Sequence, residues 1–514
     1  MLARAATFAL LGVDAIEVAV EADIHTGLPA FTIVGLPDAA VQESRERVRA
    51  AIVNCGFEFP LRRITVNLAP ADLRKAGPAF DLALAAALLA ASGQLPGEPL
   101  SAYAIAGELG LDGAARPVRG VLAMADACRR SGRRGLVVPR PNTAEASLVD
   151  GLDVVPVDAL GDLAGILSGA HRPEPLAVDR KEALDRAPTG DEDLSQVRGQ
   201  HGLKRALAVA AAGGHNLLMV GPPGSGKSMA ARRLPSILPP LNIQEALEVT
   251  KVHSAAGLLH GEPLVARRPF RAPHHSTSGA GLVGGGSTPA PGEASLAHHG
   301  VLFLDELAEF SRPALEALRQ PLEEGWVRIT RAQRTVTFPA RFMLIAATNP
   351  CPCGHAGDPR RACACHPVAR QRYEAKLSGP LLDRIDMLVS VDPPTRDEVM
   401  SDAATQGSAE LRERVVGARV RQAGRLGAAR ANADMTAAEA RALCRLDRGG
   451  RATLYAAHER VGLTVRGHDR VLRVARTLAD LDGREAIRRT DVAQAVAYRE
   501  FRARGASAAE AATA

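Results

Sequence analysis

In the first 170 positions apolar residues fall into short alternating or unbroken runs: "FTIVG" (31–35), "RITVNLAP" (63–70), "YAIAGELGL" (103–111), "GLVVP" (135–139) and "LDVVPV" (152–157), each of strand length. Helical stretches such as the alanine-rich "AFDLALAAALLAASG" (79–93) separate them, so a mixed α/β unit is predicted over 1–170. The opening "MLARAATFALLGVDAIEVAVEADIHTG" reads as a strand pair, because Asp14 and Glu17 interrupt the apolar stretch before a secretory core is complete. Residues 171–193, "HRPEPLAVDRKEALDRAPTGDED", are proline-rich and charged without an apolar period, which predicts a linker. Strands and helices alternate again over 194–395. From 396 to 505 the period is helical, predicting a lid, and 506–514 reads as a disordered tail.

Composition changes this picture little. A chain of 514 residues exceeds one ordinary core. Lys+Arg 63 against Asp+Glu 57 leaves a net charge of only +6, so binding to a polyanion has to rest on local patches. No run of about 18 uncharged apolar residues occurs, so no membrane span is expected. Seven cysteines, an odd number with four of them clustered, do not resemble a secreted disulfide framework, and the expected location is cytoplasmic.

The chemistry sits in 194–395. "HNLLMVGPPGSGKSMAARRL" places Gly221, Pro222, Pro223, Gly224, Ser225, Gly226, Lys227 and Ser228 between an apolar strand and a helix, the context of a phosphate-binding loop. Its backbone N–H groups would cradle the phosphates of ATP, Lys227 would reach the β and γ oxygens, and Ser228 would bind Mg²⁺. "GVLFLDELAEF" ends an apolar strand in two carboxylates, a costly placement unless they meet a cation and a water. Asp305 is therefore the expected Mg²⁺ partner and Glu306 the group that polarises the attacking water. A further strand, "RFMLIAATNP", ends in Asn349, suited to orienting that water. In "SGPLLDRIDM", Arg384 lies between Asp383 and Asp386: it is either a surface ion pair with one of them or an arginine finger for a neighbouring subunit.

These motifs, with "RPFRAPHHSTSGAGLVGGGSTPAPGEASLAHHG" (268–300), closely resemble the Mg-chelatase-like AAA+ ATPases of the ComM (YifB) type through essentially the whole chain. The resemblance implies a fold of three parts: an N-terminal Lon-protease-like α/β domain, an AAA+ P-loop core and a C-terminal helical lid. It makes Asn349 sensor 1, Arg384 the finger and Arg473 sensor 2, with Arg476, one turn on, competing for the last role. It further implies a hexameric ring that hydrolyses ATP to translocate or branch-migrate single-stranded or branched DNA in natural transformation, with recombination proteins as further partners. The rival reading is a protein-remodelling motor like the Mg-chelatase subunit, acting on a partner chain.

Two insertions bear on DNA. "GWVRITRAQRTVTF" (325–338) has two strand-like arms around a turn and presents Arg328, Arg331 and Arg334 to phosphates. "FRAPHHSTSGAGLVGGGS" (270–287) is expected to pack no core and to form a mobile loop. His274, His275, His298 and His299 are expected not to hold a metal, since neither pair has helical i, i+4 spacing or nearby carboxylates placed as ligands. The N-terminal stretch resembles the Lon-type protease domain with its dyad lost: Ala79 stands at the serine position and Leu122 at the lysine position, and Lys75 has no partner serine.

Cys351, Cys353, Cys363 and Cys365 form two C-x-C pairs with nine residues between, a departure from the usual structural-zinc spacing. The intervening run is too polar to order itself, and bound Zn²⁺ would supply the missing folding energy. His355 or His366 could replace one thiolate. Disulfides, a redox switch and inert thiols are the alternatives. The expected role is structural, metal loss disturbing ring assembly before nucleotide binding, with Arg360, Arg361, Arg370 and Arg372 adding phosphate contacts. Cys55, Cys128 and Cys444 are expected to be buried small hydrophobes.

Overall fold

The computed structural model describes residues 1–170, 176, 178–185, 192–259, 261–286, 289–331, 334–358, 361–377, 381–400, 406–427 and 430–500. Seven strands build the first sheet: β1 Leu2–Leu11, β2 Asp14–His25, β3 Ala30–Val34, β4 Arg63–Ala69, β5 Tyr103–Ile105, β6 Gly135–Pro139 and β7 Asp153–Val157, in spatial order β3-β4-β2-β1-β5-β6-β7. The opening strand pair is an antiparallel hairpin whose register runs from Leu2 opposite Asp23 to Leu11 opposite Asp14. In β4 exposure alternates residue by residue, as expected of a strand covered on one face. The helices α1 Ala39–Asn54 and α2 Asp81–Ala91 cover that face, while α3 Val121–Arg130 packs on the opposite face against Ala6, Phe8, Ala104 and Leu136. Every residue of α2 is buried, because it lies between the sheet and α1.

The segment expected to be a bare linker contains a helix, Arg180–Asp185. Arg180 pairs with Asp150 at 2.6 Å, and Ala183 and Leu184 pack on a small apolar cluster. That cluster joins Leu122 and Leu148 of the N-terminal unit to Leu241, Ala246 and Leu264 of the next one. Helix α4, Ile243–Ala256, is the receiving element, capped by Asn242 and Glu245 bonding reciprocally to each other's backbone N–H. Its Lys251 Nζ lies 2.9 Å from Asp126 on α3. The position where the resemblance expects a catalytic lysine is thus filled by a leucine that glues two units together. Lys75 is fully buried, its Nζ donating to the carbonyl of Gly35 at 2.9 Å.

The second unit carries β8 Leu217–Val220, β9 Phe270–Arg271, β10 Val301–Leu304, β11 Trp326–Arg331, β12 Arg334–Pro339, β13 Met343–Thr348 and β14 Met387–Ser390. Five of these form a parallel sheet in the order β9-β10-β13-β8-β14. β8, β10 and β13 are buried at every residue, which is why they read as unbroken apolar runs. β11 and β12 stand apart as a hairpin with Arg331 paired opposite Arg334.

Helix α5, Pro367–Leu377, lies between β13 and β14, and after the sheet comes the helical lid, whose longest members among the described residues are Ser408–Leu426 and α6, Val465–Leu481. The tail 506–514 lies outside the described residues. Among the described residues no helix is long and apolar enough to cross a membrane.

Candidate functional site

Three neighbouring strands end together at the carboxyl edge of the parallel sheet, where open α/β sheets bind ligands. β8 runs into the loop 221–228, β10 into Asp305 and Glu306, and β13, lying between them, into Asn349. The Ser228 hydroxyl donates to Asp305 Oδ2 at 2.7 Å, so the two groups expected at Mg²⁺ already meet. Lys227 is buried, and its Nζ donates to the carbonyls of Gly221 at 2.7 Å and Pro222 at 2.9 Å. Burial pulls its ammonium below the usual lysine range, opposed by the charge of Asp305. Glu306 sits half out in solvent in left-handed backbone, φ 52°, with its N–H held by Asp305 Oδ1 at 3.0 Å. Such a conformation disfavours any side chain and is held here by the strand end.

The opposite edge carries the arginines. Arg384 precedes β14 and is 7% exposed. Its guanidinium meets Glu323, and its carbonyl accepts from Asn216 Nδ2 at 3.0 Å. Asp386 faces Arg470 of α6 at 3.1 Å and the Asn216 N–H at 2.9 Å. Burial would raise this carboxyl, but His215, Arg470 and Asn216 hold it below its usual range. Arg473 is half-buried and donates to the Ala433 carbonyl at 3.3 Å, beside the turn that leads into β8. Its competitor Arg476 is buried and tied inside the lid to Asp480 at 3.1 Å. The sequence reading missed Arg466, 3.7 Å from Glu323, and Arg470. The spacing 466, 470, 473 on one helix face was the available signal.

The 270–291 insertion does pack: Leu282 is fully buried, and Gly284 and Gly285 pair with Pro291 and Ala290. Three of the four histidines do meet carboxylates. His275 Nδ1 stands 3.4 Å from Glu306 Oε2, and His298 and His299 converge on Glu248 of α4 at 3.3 and 2.9 Å. Their hydrogen bonds hold Glu248 well below the usual range, His298 contributing most. The Arg341 N–H donates to His298 Nδ1 at 3.0 Å, so in the neutral ring the proton is on Nε2, pointing at Glu248. A metal on Nε2 would require the opposite tautomer, and the trio remains a hydrogen-bonded brace.

The hairpin β11–β12 buries Val327, Val336 and Phe338 and exposes Arg328, whose guanidinium lies 4.5 Å over the Trp326 ring. The side chains of Arg331 and Arg334 lie outside the described residues. Its apolar face meets the N-terminal sheet: a Cβ added at Gly12, in the β1–β2 turn, would come 2.5 Å from Val336 Cγ1.

The four cysteine sulfurs converge within 4.8 Å of one another. Cys351 Sγ lies 3.4 Å from Cys353 Sγ and 3.6 Å from Cys363 Sγ, and the Cys353 N–H points at Cys365 Sγ at 3.2 Å. Thiolates bound to one zinc at about 2.3 Å stand about 3.8 Å apart, so the donor set fits a closed tetrahedral site. The backbone N–H of His355 leads in lowering the Cys353 thiol to about 6, while burial raises Cys351 to about 12. Arg361 and Arg372 are exposed and Arg370 half-buried; Arg360 lies outside the described residues. Cys128 and Cys444 are buried, and Cys55 only half so.

Three family models match the chain: "Magnesium chelatase, subunit ChlI" over 193–399, "Subunit ChlI of Mg-chelatase" over 20–142 and the ChlI C-terminal model over 405–499. The uncharacterized protein YifB of Escherichia coli K12 is 44% identical over 96% of each chain, and competence protein ComM of Haemophilus influenzae is 43% identical over 96% of each. The chain belongs to the Mg-chelatase-like AAA+ family of the ComM/YifB type. The magnesium-chelatase 38 kDa subunit of Cereibacter sphaeroides is a more distant relative, 26% identical over 44% of this chain and 71% of its own. For a ComM/YifB-type protein, ATP and Mg²⁺ fit the loop and carboxylate just described.

Proposed function

We propose that this chain is a Mg²⁺-dependent ATP hydrolase that works as a hexameric ring and drives DNA, by helicase or branch-migration action, during recombination of incoming DNA in natural transformation. Meeting of the P-loop serine and Asp305 at one sheet edge, with Arg384 at the other, is the observation that carries the ATPase and ring parts. On this reading the carboxyl edge holds the subunit's own ATP, with Glu306 as base and Asn349 as water-orienting sensor. Arg384 serves the neighbour's γ-phosphate, and Arg473 acts from the lid. Arg328, Arg331 and Arg334 contact DNA phosphates. Cys351, Cys353, Cys363 and Cys365 hold a structural Zn²⁺. The cytoplasm is the compartment, and recombination proteins are the expected partners. The competence name of the Haemophilus relative supports the DNA assignment.

The test is ATP hydrolysis and strand displacement by the full chain on single-stranded, forked, three-way and four-way DNA. Stimulation should appear on at least one substrate, and binding should weaken steeply as salt rises. An active ATPase indifferent to every DNA structure would sink the DNA part. The second reading, a protein-remodelling motor acting on a partner subunit, is favoured by the match to the chelatase subunit models; it predicts stimulation by a partner protein and none by DNA.

A further inference from the structure

We propose that the four-cysteine centre is a metal-set clamp on the P-loop of its own subunit, so that the bound metal governs nucleotide affinity in cis. The inference rests on the zinc reading given above and goes beyond it. Gly354 closes the first cysteine turn, its N–H donating to the Cys351 carbonyl at 2.9 Å. Its φ is +84°, and a Cβ there would come 2.6 Å from Pro223 Cδ and 2.9 Å from Pro223 Cγ. Glycine alone satisfies both the backbone and the approach. The cysteine turn therefore lies directly on the loop whose backbone N–H groups hold the phosphates.

The same segment touches the other two strand ends. It leaves the sheet at Thr348 and Asn349, passes through the four cysteines and enters α5. Tyr373 of α5, 7% exposed, returns its hydroxyl to 3.2 Å from Thr348 Oγ1. Lys376 Nζ donates to the Ala308 carbonyl at 3.1 Å, just past Glu306. Residues 351–365 bring almost no apolar surface to hold this course; Cys351 is their one buried hydrophobic side chain among the described residues. Metal–thiolate bonds supply the ordering that packing does not. Without them the turn at Gly354 loses the ordering that presses it onto Pro223.

This reverses the order expected from sequence. Arg384 and its Glu323 partner stand at the far edge of the sheet, outside the contacts of the clamp. Metal loss should reach nucleotide binding first and ring assembly second.

The test uses the full chain, with three readouts on one preparation: zinc content, affinity for a fluorescent ATP analogue with Mg²⁺ restored after chelation, and oligomer distribution by sedimentation. About one zinc per chain is expected. Its removal, and Cys363→Ser, should weaken nucleotide binding by about 10-fold at unchanged oligomer distribution. Gly354→Ala leaves the thiols intact and decides the matter if the cysteine variant does not fold: it should keep its zinc and lose affinity by a similar factor. Zinc present, with affinity unmoved by chelation and by Gly354→Ala, overturns the clamp and leaves the zinc reading standing. A folded, nucleotide-binding wild type with less than about a tenth of an equivalent overturns the zinc reading and, with it, metal control of the loop.

Discussion

The two edges of the parallel sheet are built in opposite ways. At the carboxyl edge the polar groups are held by provisional partners: Lys227 by carbonyls of its own loop, Ser228 by Asp305, and Glu306 by a 3.4 Å contact with His275 while half exposed. At the amino edge, Arg384 and Asp386 are buried, Asn216 and Arg470 half-buried, and the four are bonded to one another. An edge with provisional partners can exchange them for phosphate, metal and water at little cost, because every lost bond is replaced. An edge whose buried charges are already paired resists exchange, since removing one partner strands the buried charge of the other. Reach from the second edge to a neighbouring nucleotide therefore requires Arg384 to leave Glu323.

Substitutions can break this comparison, and the largest effects belong to the open edge. Lys227→Ala and Glu306→Gln should each lower turnover by about 10³-fold or more, the first with loss of nucleotide binding and the second without it, read by phosphate release and equilibrium binding. Arg384→Ala should lower turnover by about 10³-fold while leaving the subunit's own nucleotide affinity unchanged. Mixed rings of Arg384→Ala and Glu306→Gln subunits should recover part of the rate; no recovery would place Arg384 in a purely structural role. Arg331→Ala with Arg334→Ala should spare basal hydrolysis and reduce DNA stimulation by about 10-fold, seen as a change in the DNA-dependent rate alone.

The smallest effect sharpens the closed edge. Asp386→Asn should destabilise the fold by about 2 kcal/mol near neutral pH, measured by denaturant unfolding. The folded carboxyl lies below its unfolded value, so its contribution is present above about pH 4 and is lost as pH falls through the folded pKa. The gap between wild type and variant should close under acid.

What the sequence disclosed follows from how local each feature is. The P-loop and the strand ending in Asp305 are contiguous and their strands are buried on both faces, so pattern alone placed them. Glu323 reaches Arg384 across 61 positions, and Glu248 reaches His298 across 50; nothing in either neighbourhood announces the partner. Sequence therefore offers Arg384 only its flanking aspartates as ion-pair partners and gives no sign of the carboxylate that meets His298 and His299. The C-x-C spacing departs from the usual structural-zinc pattern, and the convergence of the sulfurs depends on a left-handed turn at Gly354, φ 84°, a residue type that signals turning where the spacing does not. The insertion at 270–287 looked too glycine-rich to pack, yet one leucine, Leu282, anchors it in the core.

The contact between Gly12 and Val336 has a mechanical consequence. A β-hairpin free at both faces bends easily, whereas this one is braced at its apolar side by the tip of another hairpin, with no room for so much as a methyl group between them. The seven-stranded N-terminal sheet that braces the hairpin is joined to the P-loop unit a second time through Leu122 and Lys251. Two separate footings turn that sheet into a splint. A change in the packing at either footing is thereby felt at the other.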